Sequence, residues 1–339
     1  MSVLKRNKTL AITDCTTWGT AEQPDTNDGY FVVSADLPSG GRNVWENGEE
    51  AGRGVASVAE VLEYTAQAGS FTMKAYVEGI EALIKAVMGT QQANQEITTG
   101  VIKKTYTLLE EMTGNLKTIA WEEGDQTKVI RSAVLNKMSF SISDGLNATF
   151  DFIGDKVSIA GWTDPLGSVT YESSGKSIHK LVGATVYISD FDDADFSDGN
   201  KVYPNNIEIN VIRGFQELPA TAGSNSVPQP LEIDAPTVEL KLDFPKKDDT
   251  NKDFFNDFDS RTYKKAKVVF EVAGLATGYN YELAFYFPKL YLVEAPTYGF
   301  ESPTPVSLSM KMLKADSAPT GMDYTTPYIV VQNALNREY

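Results

Sequence analysis

Apolar and polar residues alternate with a period of two through most of this chain, and only a strand puts such a pattern on two different faces. The alternation is plain in Tyr30–Ala35, Phe71–Tyr76, Leu135–Ile142, Leu146–Phe152, Ile207–Val211, Val238–Phe244, Lys267–Val272, Tyr281–Phe287 and Pro305–Leu313. It predicts a mainly β protein of antiparallel sheet, with one sheet face on a core and the other polar. One segment departs from it. Ile80, Leu83, Ile84, Val87 and Met88 recur at helical spacing between Glu78 and Gly89, which predicts an amphipathic helix of about three turns over Glu78–Met88. Its apolar stripe must cover an open face or edge of a sheet.

The chain has 339 residues, beyond the ~250 at which a single core stops growing, so two domains are expected. Gly, Pro, Ser, Asp and Asn crowd Pro38–Gly54, Gly161–Gly175, Asp190–Pro204, Pro219–Pro236 and Ala315–Pro327, and each stretch reads as a loop or linker. Gly161–Gly175 is the best boundary. The expected division is a first β-domain over 1–160, a linker over 161–175, a second β-domain over 176–314 and a C-terminal extension over 315–339.

The two domains carry elements of similar type in the same order. The first runs SFTMKAYV (Ser70–Val77), the helix, KKTYTLLEE (Lys103–Glu111), VLNKMSFSI (Val134–Ile142) and LNATFDFIG (Leu146–Gly154). The second runs TVELKLDF (Thr237–Phe244), NKDFFNDF (Asn251–Phe258), KKAKVVFEV (Lys264–Val272), YFPKLYLVE (Tyr286–Glu294) and PVSLSMKML (Pro305–Leu313). An internal duplication is the reading that accounts for this order.

Chemistry is sparse. The single histidine, His179, reads as a surface residue between linker and strand, and one histidine leaves little room for general acid–base or triad catalysis. No nucleophile elbow, phosphate-binding glycine loop or zinc motif is present, and no cofactor is implied. The lone Cys15 cannot form an intramolecular disulfide, which fits a reducing cytoplasm. Asp190, Asp192, Asp193, Asp195 and Asp198 share one loop without the spacing of a calcium-binding EF-hand, so they read as a solvated acidic loop. Acidic residues outnumber basic ones 46 to 30, a net charge of -16 that opposes tight wrapping of a phosphate backbone. No apolar run approaches the ~20 residues of a membrane span, so no membrane insertion is expected.

GSFTMKAYVEGIEALIKAVMGT (Gly69–Thr90), SAVLNKMSFSISDGLNATFDFIGDK (Ser132–Lys156) and FYFPKLYLVEA (Phe285–Ala295) together resemble the major tail tube proteins of tailed phages, of the larger type with two tube domains. The resemblance implies Greek-key β-barrel or sandwich domains, at least the first with a flanking helix. It implies a structural protein without catalysis, assembled in the host cytoplasm and carried in the virion tail. Its copies would close into homotrimer rings of pseudo-sixfold symmetry, or hexamer rings, that stack into a tube through which double-stranded DNA passes. The implied partners are further copies and the tail tip, tape measure and tail terminator proteins. Candidate contacts between rings are Arg42, Asn43, Trp45, Glu46 and Arg53 in one long loop and Gln216, Glu217 and Glu232 in the other. Candidate lumen residues are Thr72, Lys74, Ser139, Ser141, Ser143, Glu239 and Asp243. A carbohydrate- or receptor-binding β-sandwich and a type VI secretion-like tube are the alternatives.

Overall fold

A computed structural model describes residues 9–40, 42–46, 59–112, 115–123, 126–162, 169–221, 224, 226–247, 253–298 and 305–337. The first half comprises β1 (Thr9–Cys15), β2 (Gly29–Asp36), β3 (Arg42–Glu46), β4 (Ala59–Tyr64), β5 (Gln67–Lys74), α1 (Glu81–Met88), β6 (Gly89–Gln91), β7 (Gln95–Thr98), β8 (Val101–Leu108), β9 (Leu116–Glu123), β10 (Gln126–Ser143), β11 (Gly145–Gly154) and β12 (Val157–Ile159). The second comprises β13 (Ala184–Asp190), β14 (Lys201–Val202), β15 (Asn206–Gln216), β16 (Leu231–Phe244), α2 (Phe254–Ser260), β17 (Lys264–Ala276), β18 (Tyr279–Leu292), β19 (Thr297–Tyr298), β20 (Val306–Met312) and β21 (Tyr328–Asn333). The protein is mainly β and antiparallel, and every alternating segment named above falls on a strand, although Phe71–Tyr76 runs past the end of β5 and Pro305–Leu313 past both ends of β20.

In the first half β1, β2, β5, β11, β10 and β9 pair in a closed circuit. The second half repeats it: β13 pairs β17, β17 pairs β18, β18 pairs β20, β20 pairs β16 and β16 pairs β15. There β14 pairs β13, so β14 and β15 together do what β2 does alone. An ion pair repeats with the strands. Asp14 faces Lys117 across β1 and β9, and Asp190 faces Lys264 across β13 and β17.

This register corrects one match in the sequence. The counterpart of KKAKVVFEV is β9, which carries Lys117, and not the Lys-Lys strand β8. Instead β8 pairs β21, which pairs β18. The stretch after Ala315 therefore supplies an inner strand, and its hydrophobic run Tyr328–Val331 is buried.

The halves share one sheet and one core. Residues Lys137–Ser141 of β10 pair with Glu208–Ile212 of β15, and a contiguous apolar cluster runs through both halves. Within it Phe140 meets Phe285 edge-on, with ring centroids 4.8 Å apart, a favoured aromatic geometry. The boundary segment is packed down as well. Val169 is buried, Tyr171 stacks on Phe31 at 4.4 Å, and the Thr170 carbonyl accepts from the Gly29 amide.

The helix starts later than its apolar spacing suggests. Gly79 takes φ +90°, outside the helical region, and the Glu81 carboxylate folds back to accept from the Gly79 and Ile80 amides at 2.7 and 2.8 Å. The same carboxylate receives Lys104 of β8 and Asn333 of β21. Removing one member of such a buried pair costs about 3–5 kcal/mol, because the other charge is stranded. Leu83, Ile84 and Val87 are fully buried, as the apolar stripe requires, and Gly89 ends the helix at φ +99°. No helix among the described residues is long and apolar enough to cross a membrane.

His179 is buried, at 2% exposure, contrary to its reading as a surface residue. Its backbone ties Ala75 to Leu146, so chain pairing draws the side chain inward. Burial lowers its pKa from the ordinary 6.5 to about 4, against an opposing hydrogen bond to the Phe270 backbone. The unfolded chain thus takes up a proton near pH 6.5 that the folded chain refuses until about pH 4. Stability is full above the upper value and falls by about 3 kcal/mol across the window. Urea unfolding at pH 7 and pH 4 should show that much less loss in His179→Gln than in wild type; equal losses would mean that the imidazole does not carry the effect.

Candidate functional site

The feature with functional potential is the non-core face of the sheet spanning β5, β11, β10, β15, β16 and β20. Phe71, Met73, Phe150, Met138, Phe140, Ile209, Leu240, Leu242 and Met310 point into the core, so alternation sends their neighbours to the opposite face. Backbone pairing aligns those neighbours into rows. One row runs Thr72, Thr149, Ser139, Asn210, Glu239, Lys311; the next runs Lys74, Asn147, Ser141, Glu208, Lys241, Ser309. Hydrogen bonds cross the strands along the first row, between the Thr72 and Thr149 hydroxyls at 2.9 Å and from the Ser139 hydroxyl to the Asn210 Oδ1. All seven candidate lumen residues lie on this face, and Thr72, Lys74, Ser139, Ser141, Glu239 and Asp243 are half-buried while Ser143 is exposed.

Charge on the face is matched strand by strand. Lys137 faces Asp151 at 3.7 Å, Lys241 faces Glu208 at 3.8 Å, and Lys311 faces Glu239 at 3.1 Å. Lys74 donates to the Asp144 carbonyl. Asp243 accepts from Asn206 and Ser307. Each ammonium already has a carboxylate or carbonyl beside it. A phosphate arriving at this wall would have to displace that partner, which removes most of the gain from releasing its counterions.

The loop candidates fall apart into three groups. Arg42, Asn43, Trp45 and Glu46 form β3, which pairs β4, so the expected loop Pro38–Gly54 contains a hairpin strand; Arg53 lies outside the described residues. Gln216 and Glu217 are exposed. Glu232, in contrast, is not available for contacts between rings. Its side chain is 7% exposed and holds the fully buried Arg213 through both oxygens, at 2.8 and 3.0 Å. It also accepts from the Met112 amide.

Arg213 itself escapes sequence reasoning. It donates to the Val87 carbonyl at 2.9 Å and the Leu109 carbonyl at 3.0 Å, closing the C-terminal end of α1 from the other half of the chain. Cations favour that end of a helix dipole. The one local signal was the interruption of an apolar strand by a charge, Val211-Ile212-Arg213.

The acidic loop after β13 is tied down by two lysines of β17. Lys264 sits between Asp190 and Asp257, the latter at 2.7 Å, and Lys265 donates to the carbonyls of Asp193, Ala194 and Thr320 at 2.8 to 3.0 Å. No cluster of three or more His, Cys, Asp or Glu side chains that could hold a metal ion is found among the described residues. Cys15 is buried, which raises its thiol pKa and keeps it unreactive.

No protein-family model and no curated protein sequence matches the chain.

If local carboxylates keep the sheet face from holding phosphate, removing them should expose its lysines. The variant Asp151→Asn, Glu208→Gln, Glu239→Gln should retain duplex DNA in a low-salt mobility shift where wild type does not. Its log K should fall against log salt with a slope of about -3 for three new phosphate contacts. Equal binding by both proteins would show that the pairing has no such effect.

Proposed function

We propose that the chain is a tail tube subunit of a tailed phage, built from two fused Greek-key tube domains, which closes with two further copies into a ring of pseudo-sixfold symmetry. One observation carries the reading. The two halves repeat a single circuit of strand pairs, and they join edge to edge through β10 and β15.

That junction has open counterparts at the two ends of the chain. The place of Lys137–Ser141 is taken in the second half by β19, which pairs β20 on one edge. The place of Glu208–Ile212 is taken in the first half by Asp36 and the residues up to Gly40, where Asp36 pairs Ser70 on one edge. Among the described residues no strand lies along the other edge of either stretch. An open edge recruits another strand, and two complementary edges on opposite sides of one chain make a head-to-tail contact that repeats until it closes. Repetition of the internal junction would bring the polar rows of every copy onto one continuous wall.

A wall of matched charges and hydroxyl groups suits a conduit for DNA. It offers water-like hydrogen bonding along the path and little net positive charge to hold a phosphate. The tight stacking of rings falls to segments off this wall, with β3 and its loop as the candidate.

Negative-stain microscopy of the purified chain should show annuli or hollow filaments, and deletion of Arg42–Arg53 should leave soluble subunits that no longer polymerise. Wild-type protein that stays monomeric at high concentration would defeat the tube reading, and normal tubes from the deletion would remove the loop from assembly.

A further inference from the structure

The surface at the end of α1 is covered by the second half of the same chain, whereas its counterpart at the end of α2 is, among the described residues, an open groove with Lys289 over the Tyr263 ring. In the first half Leu116 and Val134 are buried together with Cys15 and Ile153, and Phe215 of β15 packs over them. Arg213 closes the helix end, and Val227, itself buried, ties the connection between β15 and β16 to this surface. Its amide donates to Asp155, and its carbonyl accepts from Trp18 at 2.8 Å.

Strand register carries these positions into the second half. Lys117 corresponds to Lys264, so Leu116 corresponds to Tyr263. Ala133 pairs with Lys117 and Leu290 with Lys264, so Val134 corresponds to Tyr291. Tyr263 and Tyr291 line an open groove of about 520 Å³ with Phe258, Arg261, Leu292 and Leu313. Tyr263 is 44% exposed where Leu116 is 4%. Arg261, the residue that ends α2, holds φ +56°, and no counterpart of Arg213 reaches this helix end among the described residues.

The segment that should supply one is in the first half. The connection from β2 to β5 holds the position that the connection from β15 to β16 has in the second half, and it carries the paired strands β3 and β4. At its base Arg42 stands opposite Tyr64 and Asn43 opposite Glu63. In the second half Arg213 precedes Phe215, which stands opposite Glu232. Counted from the facing glutamates Glu63 and Glu232, Asn43 takes the place of Phe215 and Arg42 that of Gly214, so an arginine recurs one residue away from the place of Arg213.

We infer that the paired strands β3 and β4 of one copy seat in the Tyr263–Tyr291 groove of the adjacent copy, covering the end of α2 as the connection from β15 to β16 covers the end of α1. The occupant is a second copy because the internal interface already shows which segment covers this surface, and the first-half counterpart of that segment is the one that carries β3 and β4. The inference rests on the ring reading above and deepens it. It makes β3 and β4 a lateral clasp within a ring and not only a contact between rings.

The test uses the full chain with Cys15→Ser as background. Arg42→Cys is combined with Asp259→Cys, which lies next to last in α2 as Val87 does in α1, and a second pair combines Asn43→Cys with Arg261→Cys. Mild oxidation should link copies into closed oligomers in at least one pair, with a more than tenfold lower linked fraction in each single variant, and Arg42→Glu should lower the assembled fraction at least tenfold. Annuli in the microscope without any cross-link would overturn the clasp and leave the ring standing. A cross-link confined to one chain would also overturn it, because the hairpin would then cover its own groove. Absence of both annuli and cross-links would end the ring reading and the clasp with it.

Discussion

Backbone pairing along β10 is the constraint on which the rest of the structure depends. A strand's N–H and C=O groups need partners on both edges, and Gln126–Ser143 meets that need with four other strands. Its first part joins β9 and β12, and its later part joins β11 and β15. A strand that changes partners along its length can join two circuits of strands into one sheet. Here that property closes the first circuit and passes the sheet to the second half, so the two cores merge around Phe140 and Phe285.

Duplication of a strand circuit has a consequence for charge as well as for shape. The Asp14–Lys117 and Asp190–Lys264 pairs stand at corresponding register, but their surroundings differ. In the second half Lys264 also serves Asp257, and Lys265 gathers the carbonyls of Asp193, Ala194 and Thr320. The same scaffold thus spends its buried cations differently in its two copies. Arg213 and Glu232 show the other side of this: a pair carried by the second half closes the end of the helix in the first.

Some of the site was legible in advance. Thr72, Lys74, Ser139, Ser141, Glu239 and Asp243 follow from alternation alone, since each is flanked by core residues. What could not be read was their company. Thr149, Asn210 and Lys311 join the same rows only because of register across strands far apart in the sequence, and one residue of slip would have turned every one of them inward. Glu232 and His179 were misread for the same reason. A polar residue beside a loop looks solvent-exposed until a distant segment folds over it.

The sequence by itself determined the strand character of the chain, the helix ending at Gly89 and the recurrence of element types, because periodicity and local turn chemistry act over a few residues. Only the tertiary structure decided that β9 and not β8 is the counterpart of β17, that Tyr328–Asn333 is an inner strand, and that β10 fuses the halves. Those outcomes depend on which edges meet across the chain, and the backbone hydrogen bonds that join two edges are the same whatever side chains the strands carry. Such pairing therefore leaves little trace in the order of amino acids.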